Sequence, residues 1–589
     1  MLTAFVRRPL GILPVAMKKT FILLSPVLLV LANAWYVNAW NLNFRAGFFL
    51  QFGIIALWLA LFGWLCKPVQ SAAPPLKLSR AGWLGLALVM VIAVTARVTQ
   101  LEVYPPADVS VVEETQTGEL SHDSIHKHLL DPDFPIINLL GEAGLRLNGG
   151  TMLGLRWPFV IWSCLAVPVF FLAALRFCRH EGAALLVTLL LATNTYVIAS
   201  GRTAMETYAP VTTVALSLAA LLYARDRRSL FAFGLAGVCN GLLLIEYLSF
   251  RLTGGLIFIW MLLLLAQGLS AEAPWTCAVR PRLHALWAAR RLALAYAVLM
   301  CVVALPCWIA LANTGWLNLA EGVERNFVND VLARSAAKPI GVQVAEMAGR
   351  VWEQGMTLWV KDAVPGVITD RRGIFDWGTS ALCLAAIVFA LVRARANPSR
   401  WFPVLAILAT IALAGVMTPV VARYRVYCVV PCCLLLMAGL IQAMLEWKPV
   451  RFAPAIKVAV AGFVLVLAGW NLWSFFSSTV YDQELRDQHY EFCVLVAVEI
   501  QKQQALPQTA PLYLISPGLT EKSRGEAYFL YDRSRVRFVG SADEITGPAR
   551  VVACNASGVE LEQRADFKIL YRRDDKPKRE DTYVVAERD

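Results

Sequence analysis

Apolar residues run through this chain in stretches of about twenty, the length an α-helix needs to cross the hydrocarbon core of a bilayer. They recur at 20–37, 47–66, 82–98, 156–175, 182–199, 209–224, 230–248, 252–268, 291–312, 378–393, 401–418, 426–445 and 455–474. A membrane barrel would instead show short alternating segments. The pattern predicts a polytopic α-helical membrane protein with about thirteen transmembrane helices.

The connecting segments divide by charge. With the N-terminus inside, the short inner loops hold Lys67, Lys77 and Arg80, then Arg176 and Arg179, then Arg225, Arg227 and Arg228. Arg280, Arg282, Arg290 and Arg291, then Arg393, Arg395 and Arg400, then Lys448 and Arg451 continue the series. Loops 99–155 and 313–377 are long, mixed in charge and expected outside, as the positive-inside rule requires. An odd number of spans then places the tail outside as well. The expected location is the inner (plasma) membrane, multi-pass, with a cytoplasmic N-terminus and an extracytoplasmic C-terminal domain.

The tail changes period. Alternating runs at 511–515, 536–539, 550–553, 567–571 and 582–585, preceded by a helical stretch near 486–504, predict a small α/β domain. The chain therefore divides into two N-terminal spans (1–81), a transmembrane core (82–475) and the tail domain (476–589). Within loop 313–377, the stretch Val342 to Trp359 is amphipathic and expected to lie along the membrane surface.

Composition agrees with a membrane class: 58% hydrophobic residues, 16% charged and a mean hydropathy of +0.57. The net charge of +12 would suggest a nucleic-acid partner in a soluble protein; here it follows from basic inner loops, so none is expected. The basic N-terminus (Arg7, Arg8, Lys18, Lys19) leads into a full-length span, which is expected to be kept as an anchor. Most of the thirteen cysteines lie in apolar spans and read as small hydrophobes. Cys493 and Cys554 lie in the tail, where a disulfide and a free pair are both open.

Candidate chemistry gathers on the outer face. Glu113 and Glu114 stand side by side after Pro105 and Pro106, and a carboxylate there can take the proton of a hydroxyl nucleophile. Adjacent residues on a regular helix do not face one point, so one is a candidate base and the other a metal or acceptor ligand. Solvated loop acids are the plain alternative. Arg202 and Glu206, then Glu246, Tyr247 and Arg251, then Arg423 and Arg425 border spans on the same side. Charges at such positions tend to mark sites, and arginines there suit a phosphate. Snorkelling and local ion pairs, such as Arg202 with Glu206, are the competing reading. His122, His126 and His128 with Asp123 carry no strong metal spacing and read as a surface helix.

In their order these motifs resemble the GT-C superfamily of polyprenyl-phosphate-sugar-dependent glycosyltransferases. The branch is that of the protein O-mannosyltransferases and the lipid A aminoarabinose transferase. The carriers are Pro105, Pro106, Glu113 and Glu114; Gly149, Gly150 and Leu155-Arg156; Ser200-Gly-Arg202-Thr-Ala-Met-Glu206; Gly237, Gly241-Leu242, Tyr247 and Arg251; and Arg425 with Pro431. The resemblance covers roughly 82–475. Two departures stand out: the family's first acid is usually Asp and here is Glu113, and Thr253-Gly254-Gly255 replaces the proline after Arg251.

The resemblance implies a GT-C-like core and an inverting transfer of a hexosyl or pentosyl group. The donor is a sugar on a polyprenyl or dolichyl phosphate; the acceptor is a hydroxyl on a protein, glycan or lipid. Glu113 or Glu114 serves as base, and Arg202, Arg251, Arg425 and Arg423 hold the donor phosphate, with Glu206, Glu246 and Tyr247 in support. Arginines or a divalent cation, Mg or Mn, can stabilise the leaving phosphate. Two other classes remain open: a subunit that kept the fold and lost activity, as the glutamate at 113 allows, and a transporter or flippase. Transporters bury ionisable groups at mid-membrane and repeat their halves, whereas here the charges sit at the rim and no repeat is visible.

Overall fold

The computed structural model describes residues 78–101, 152–203, 211–246, 248–267, 279–313, 338–360, 373–393, 398–417, 425–447, 453–479, 502–506, 510–515, 535–554, 560–574 and 582–588. Isolated helical positions between 28 and 59 and near 140–144 and 496–500 are also described. Glu113, Glu114, Glu206, Tyr247 and Arg423, the histidines at 122–128, Cys493 and the Cys554 side chain lie outside these residues.

Helices dominate the described residues, and from residue 78 on most of them overlap the apolar runs; the expected spans at 20–37 and 47–66 lie largely outside the described residues. The helices are α1 Arg80–Val98, α2 Met152–Cys178, α3 Glu181–Thr193, α4 Thr195–Ser200, α5 Val211–Arg227, α6 Leu230–Leu243 and α7 Leu248–Ala266. After these come α8 Val279–Ala288, α9 Arg290–Asn313, α10 Ile340–Trp359, α11 Trp377–Arg393, α12 Pro398–Met417, α13 Val430–Glu446 and α14 Ala453–Ser474. Among the described residues, four helices are long and apolar enough to span a membrane unaided, including α1 and the bulk of α2. The pair α8–α9, bent by 65°, makes a fifth if it counts as one span. Shorter apolar helices (α3, α6, α11 and most of α7 and α12) complete the bundle.

Several boundaries differ from the sequence reading for local reasons. The run at 182–199 is broken at Asn194, whose side-chain Oδ1 accepts from the Val197 N–H at 2.9 Å and whose Nδ2 donates to the Ile374 carbonyl at 2.9 Å. A side-chain cap inside an apolar run starts a new helix. The run at 230–248 stops at Leu243, and the turn 244–246 is followed by α7, which takes Arg251 into its first turns. The amphipathic stretch is helical as expected, as α10, and it docks on α12: Arg350 Nε donates to the Gly415 carbonyl at 3.1 Å. Ile340, Val342, Val344 and Trp352 stay exposed along α10.

Close backbone packing unites α6 and α9. A Cβ at Gly237 would overlap the Tyr296 carbonyl, and one at Gly241 would sit 2.7 Å from Val303 Cβ. Small residues four apart let helix backbones approach, the usual device where water supplies no hydrophobic drive. The largest buried apolar cluster is centred on α2, α3, α5, α7 and α13, with Trp260 stacked on Phe402 at 5.0 Å.

The tail strands fall close to the predicted runs: β1 Leu512–Ile515, β2 Val536–Val539, β3 Ala549–Cys554, β4 Lys568–Asp574 and β5 Thr582–Arg588. The sheet order is β2-β1-β3-β5-β4, parallel across β2-β1-β3 and antiparallel across β3-β5-β4. β1 is buried along its whole length, as a central parallel strand must be. Arg550 faces Glu587 across β3 and β5, and the pair bonds at 2.5 Å.

Candidate functional site

Helix direction sorts the charged residues between the two ends of the bundle. Ser79, just before α1, donates from its amide and hydroxyl to the Glu181 carboxylate at 2.9 and 2.5 Å, so the start of α1 meets the α2–α3 junction. The other end of α1 meets the first turns of α2, where Arg156 Nη1 donates to the Leu101 carbonyl at 2.9 Å. Leu101 and Met152 bracket the segment that carries Glu113 and Glu114. The two stems of that segment are thus clamped together at one end of the bundle. α2 begins at Met152, one turn before Arg156, and its long apolar part starts at Arg156 as the sequence pattern expects.

Two fully buried guanidiniums lie at the same end. Arg97, in the last turn of α1, donates from Nε to Ser163 Oγ at 2.8 Å and from Nη1 to the carbonyls of Ala93 and Ala192, both at 3.1 Å. Its Nη2 has no hydrogen-bond partner. Arg202, in the turn after α4, donates from Nη1 to the Ala96 carbonyl at 3.3 Å and lies 5.4 Å from the Phe475 ring centroid. Cations at a helix C-terminus are favoured by its dipole, and both arginines occupy the end of α1. The turn at 201–203 fits against α2 because residue 201 is glycine: a Cβ there would overlap Ser163 Oγ.

Arg425 precedes the short helical turn Tyr427–Val429 that leads into α13, and it is largely buried. Tyr427 shares a 2.5 Å hydrogen bond with Ser200 and packs edge-on against Tyr196, which joins this turn to the Arg202 segment. Glu246 follows α6. Thr213, near the start of α5, donates to Glu246 Oε1 at 3.4 Å, and Thr212 beside it donates to the Trp162 carbonyl at 2.8 Å, next to Ser163. Arg251 Nε donates to the Glu246 backbone carbonyl at 2.7 Å. Glu246 Oε2 is buried without a partner.

Of the sequence candidates, Arg202, Glu246, Arg251 and Arg425 therefore share one end of the bundle with the stems of the Glu113–Glu114 segment. Sequence reasoning missed Arg97, Ser163 and Tyr427. Arg97 carried a signal, an ionisable residue inside an apolar run; Ser163 and Tyr427 carried none. Among the described residues no three His, Cys, Asp or Glu side chains cluster as a metal site.

No family model and no curated protein sequence matches the chain. Solved structures similar to it include ArnT from Cupriavidus metallidurans bound to undecaprenyl phosphate, at 15% identity over 86% of this chain and 98% of that one, with a TM-score of 0.49. The Archaeoglobus fulgidus oligosaccharyltransferase in its apo form is similar at 14% identity over 77% of this chain and 64% of that one (TM-score 0.39). Arabinosyltransferase EmbB from Mycobacterium smegmatis is similar at 12% identity over 75% and 43% (TM-score 0.38).

Proposed function

We propose that this protein is a GT-C-type membrane glycosyltransferase. It moves a sugar from a polyprenyl-phosphate donor to a hydroxyl acceptor at the outer membrane face, with inversion. One observation of the molecule supports this most: two buried polar groups at the same end of the bundle lack a protein partner, Arg97 Nη2 as a donor and Glu246 Oε2 as an acceptor. Orphaned buried groups are rare and costly, so a ligand that completes them is the economical explanation. A phosphate oxygen suits the guanidinium, and a sugar hydroxyl suits the carboxylate.

Arg202 and Arg97 hold the donor phosphate, with Arg425 close by on the Tyr427 turn and Arg423 two residues before it. Glu113 takes the proton of the acceptor hydroxyl as its oxygen attacks the anomeric carbon, and Glu114 orients the acceptor. A C–O bond forms on one face of the sugar while the bond to the phosphate oxygen breaks on the other. The lipid phosphate leaves with the bonding electrons, its growing charge met by the arginines. Glu246 contributes to the donor side, and the sequence resemblance gives Tyr247 and Glu206 the same supporting role. The C-terminal domain, on the same face, selects the acceptor.

Purified protein in nanodiscs, incubated with synthetic polyprenyl-phosphate sugars and membrane extract, tests the reading. It predicts sugar transfer to an extract component with release of polyprenyl phosphate. The absence of turnover with every donor, in protein that binds none of them, would overturn it.

A further inference from the structure

The opposite end of the bundle holds a second basic cluster. α2 and α5 both end there, and each chain leaves its helix through a non-glycine residue in the left-handed region, Arg179 (φ 57) and Arg228 (φ 48). Five arginines, Arg176, Arg179, Arg225, Arg227 and Arg228, therefore stand at one level around a single carboxylate, Asp226. Asp226 Oδ2 accepts from Arg176 Nη1 at 3.1 Å. Its Oδ1 accepts from Arg179 Nη2 at 2.5 Å and from Arg225 Nε and Nη2 at 3.2 and 3.1 Å. Arg225 Nη2 also donates to the Arg176 carbonyl at 2.7 Å. The Tyr223 ring lies 4.8 Å from Arg176 and 5.7 Å from Arg227. The nearby Glu181 carboxylate is committed to Ser79.

Among these residues five cations face two carboxylates, Asp226 and the nearby Glu181, a formal +3 of which two helix C-termini offset only about one unit. Basic residues that merely set topology can stay solvated. Here Asp226 and Arg225 are buried and Arg176 is only 17% exposed, so part of the excess is withdrawn from water. Asp226 occupies the side of the cluster that faces the protein. Arg179, 35% exposed, and Arg227, exposed, remain on the open side with guanidinium N–H groups to spare.

We propose that this cluster binds the phosphate of an anionic phospholipid head group. Paired guanidiniums match phosphate geometry, and basic pockets between helix ends at the membrane surface are suited to such lipids. An apolar stripe argues for a lipid over a free anion. Ile161, Leu165 and Leu172 are exposed along α2, and Arg176 follows one turn after Leu172. A phosphate held by Arg176, Arg179 and Arg227 would leave its acyl chains on that stripe.

Native mass spectrometry of the full chain, released from nanodiscs of equal phosphatidylglycerol and phosphatidylcholine, tests this. Wild type should retain phosphatidylglycerol selectively, and Arg179→Gln with Arg227→Gln should lower that selectivity about five-fold per arginine removed. Arg280→Gln with Arg290→Gln removes the same charge from exposed positions elsewhere and should leave it unchanged. Arg227→Gln alone spares the Asp226 contacts and serves if the double variant does not fold. No preference in wild type, or an equal loss in the two double variants, would overturn the assignment. So would inorganic phosphate in detergent raising the melting temperature as much as phosphatidylglycerol does.

Discussion

Replacing Arg97 with Met separates a ligand-binding role from a structural one, because the two predict opposite balances. In the free protein the substitution removes three hydrogen bonds from a charged donor, to Ser163 and to the Ala93 and Ala192 carbonyls. The Ala93 carbonyl keeps its helical bond. The Ala192 carbonyl, at the end of α3, loses an acceptor interaction worth about 1–3 kcal/mol. Against this, a fully buried guanidinium with an unpaired Nη2 is itself costly, and replacing a buried charge by an apolar side chain of similar length is often neutral or favourable. The two effects oppose, so stability should change by no more than about 2 kcal/mol. Donor binding has no such compensation. Losing one charge-assisted hydrogen bond to phosphate costs about 1.5–3 kcal/mol, a roughly 10- to 150-fold weaker Kd. Fluorescence titration with a polyprenyl phosphate and thermal unfolding of the same preparation read both. Arg97→Lys keeps the charge without the fork and should fall between. Destabilisation beyond about 3 kcal/mol with an unchanged Kd in the folded fraction would refute the reasoning and make Arg97 a helix-end staple.

Three further outcomes are expected. Gly237→Ala forces a methyl into the Tyr296 carbonyl, so α6 and α9 must separate; overpacking of this kind costs about 1–3 kcal/mol, visible as a lower melting temperature and, through the Glu246 turn, a raised donor KM. Asp226→Asn removes the negative charge that three guanidiniums share, one of them a third exposed and screened, and turns one of its two acceptor oxygens into a donor, so it should destabilise by about 3 kcal/mol; a change under about 1 would show that the cluster is balanced elsewhere. In the tail domain, hydrogen bonds from Arg564 hold the Asp566 carboxyl below its ordinary value of 3.8. A depressed folded value stabilises above the unfolded one and the gain is lost as pH falls, so the protection of β4 and β5 against hydrogen exchange, relative to the intrinsic rate, should drop below about pH 4 and less so in Asp566→Asn.

The hydrophobic pattern carried most of the helical frame because apolar length and strand alternation are local properties. α1, α9, α11 and α14 begin and end within a few residues of their apolar runs, and the tail strands likewise. What escaped depends on distant partners. Asn194 breaks a run because it reaches Ile374, and Arg251 sits within α7 because its side chain turns back to Glu246. The site was legible as residue types on one side, Arg202, Glu246 and Arg425, but not as geometry. Arg97 lies one residue from the end of the run 82–98, and its contacts with Ser163 and the Ala192 carbonyl appear only in the fold. Asp226 gave no sign in sequence that three arginines would share it, since Arg176 and Arg179 lie some fifty residues away.

The central claim is that Glu113 and Glu114 act on an acceptor at the end of the bundle where the buried arginines lie. Single-turnover transfer from a labelled polyprenyl-phosphate sugar, compared among wild type, Glu113→Gln and Glu114→Gln, tests it most directly. Loss of a general base lowers the rate by about 10²–10⁴-fold. The account predicts that loss for Glu113→Gln with donor Kd unchanged, and a smaller one for Glu114→Gln. Wild-type transfer rates in both variants would contradict it.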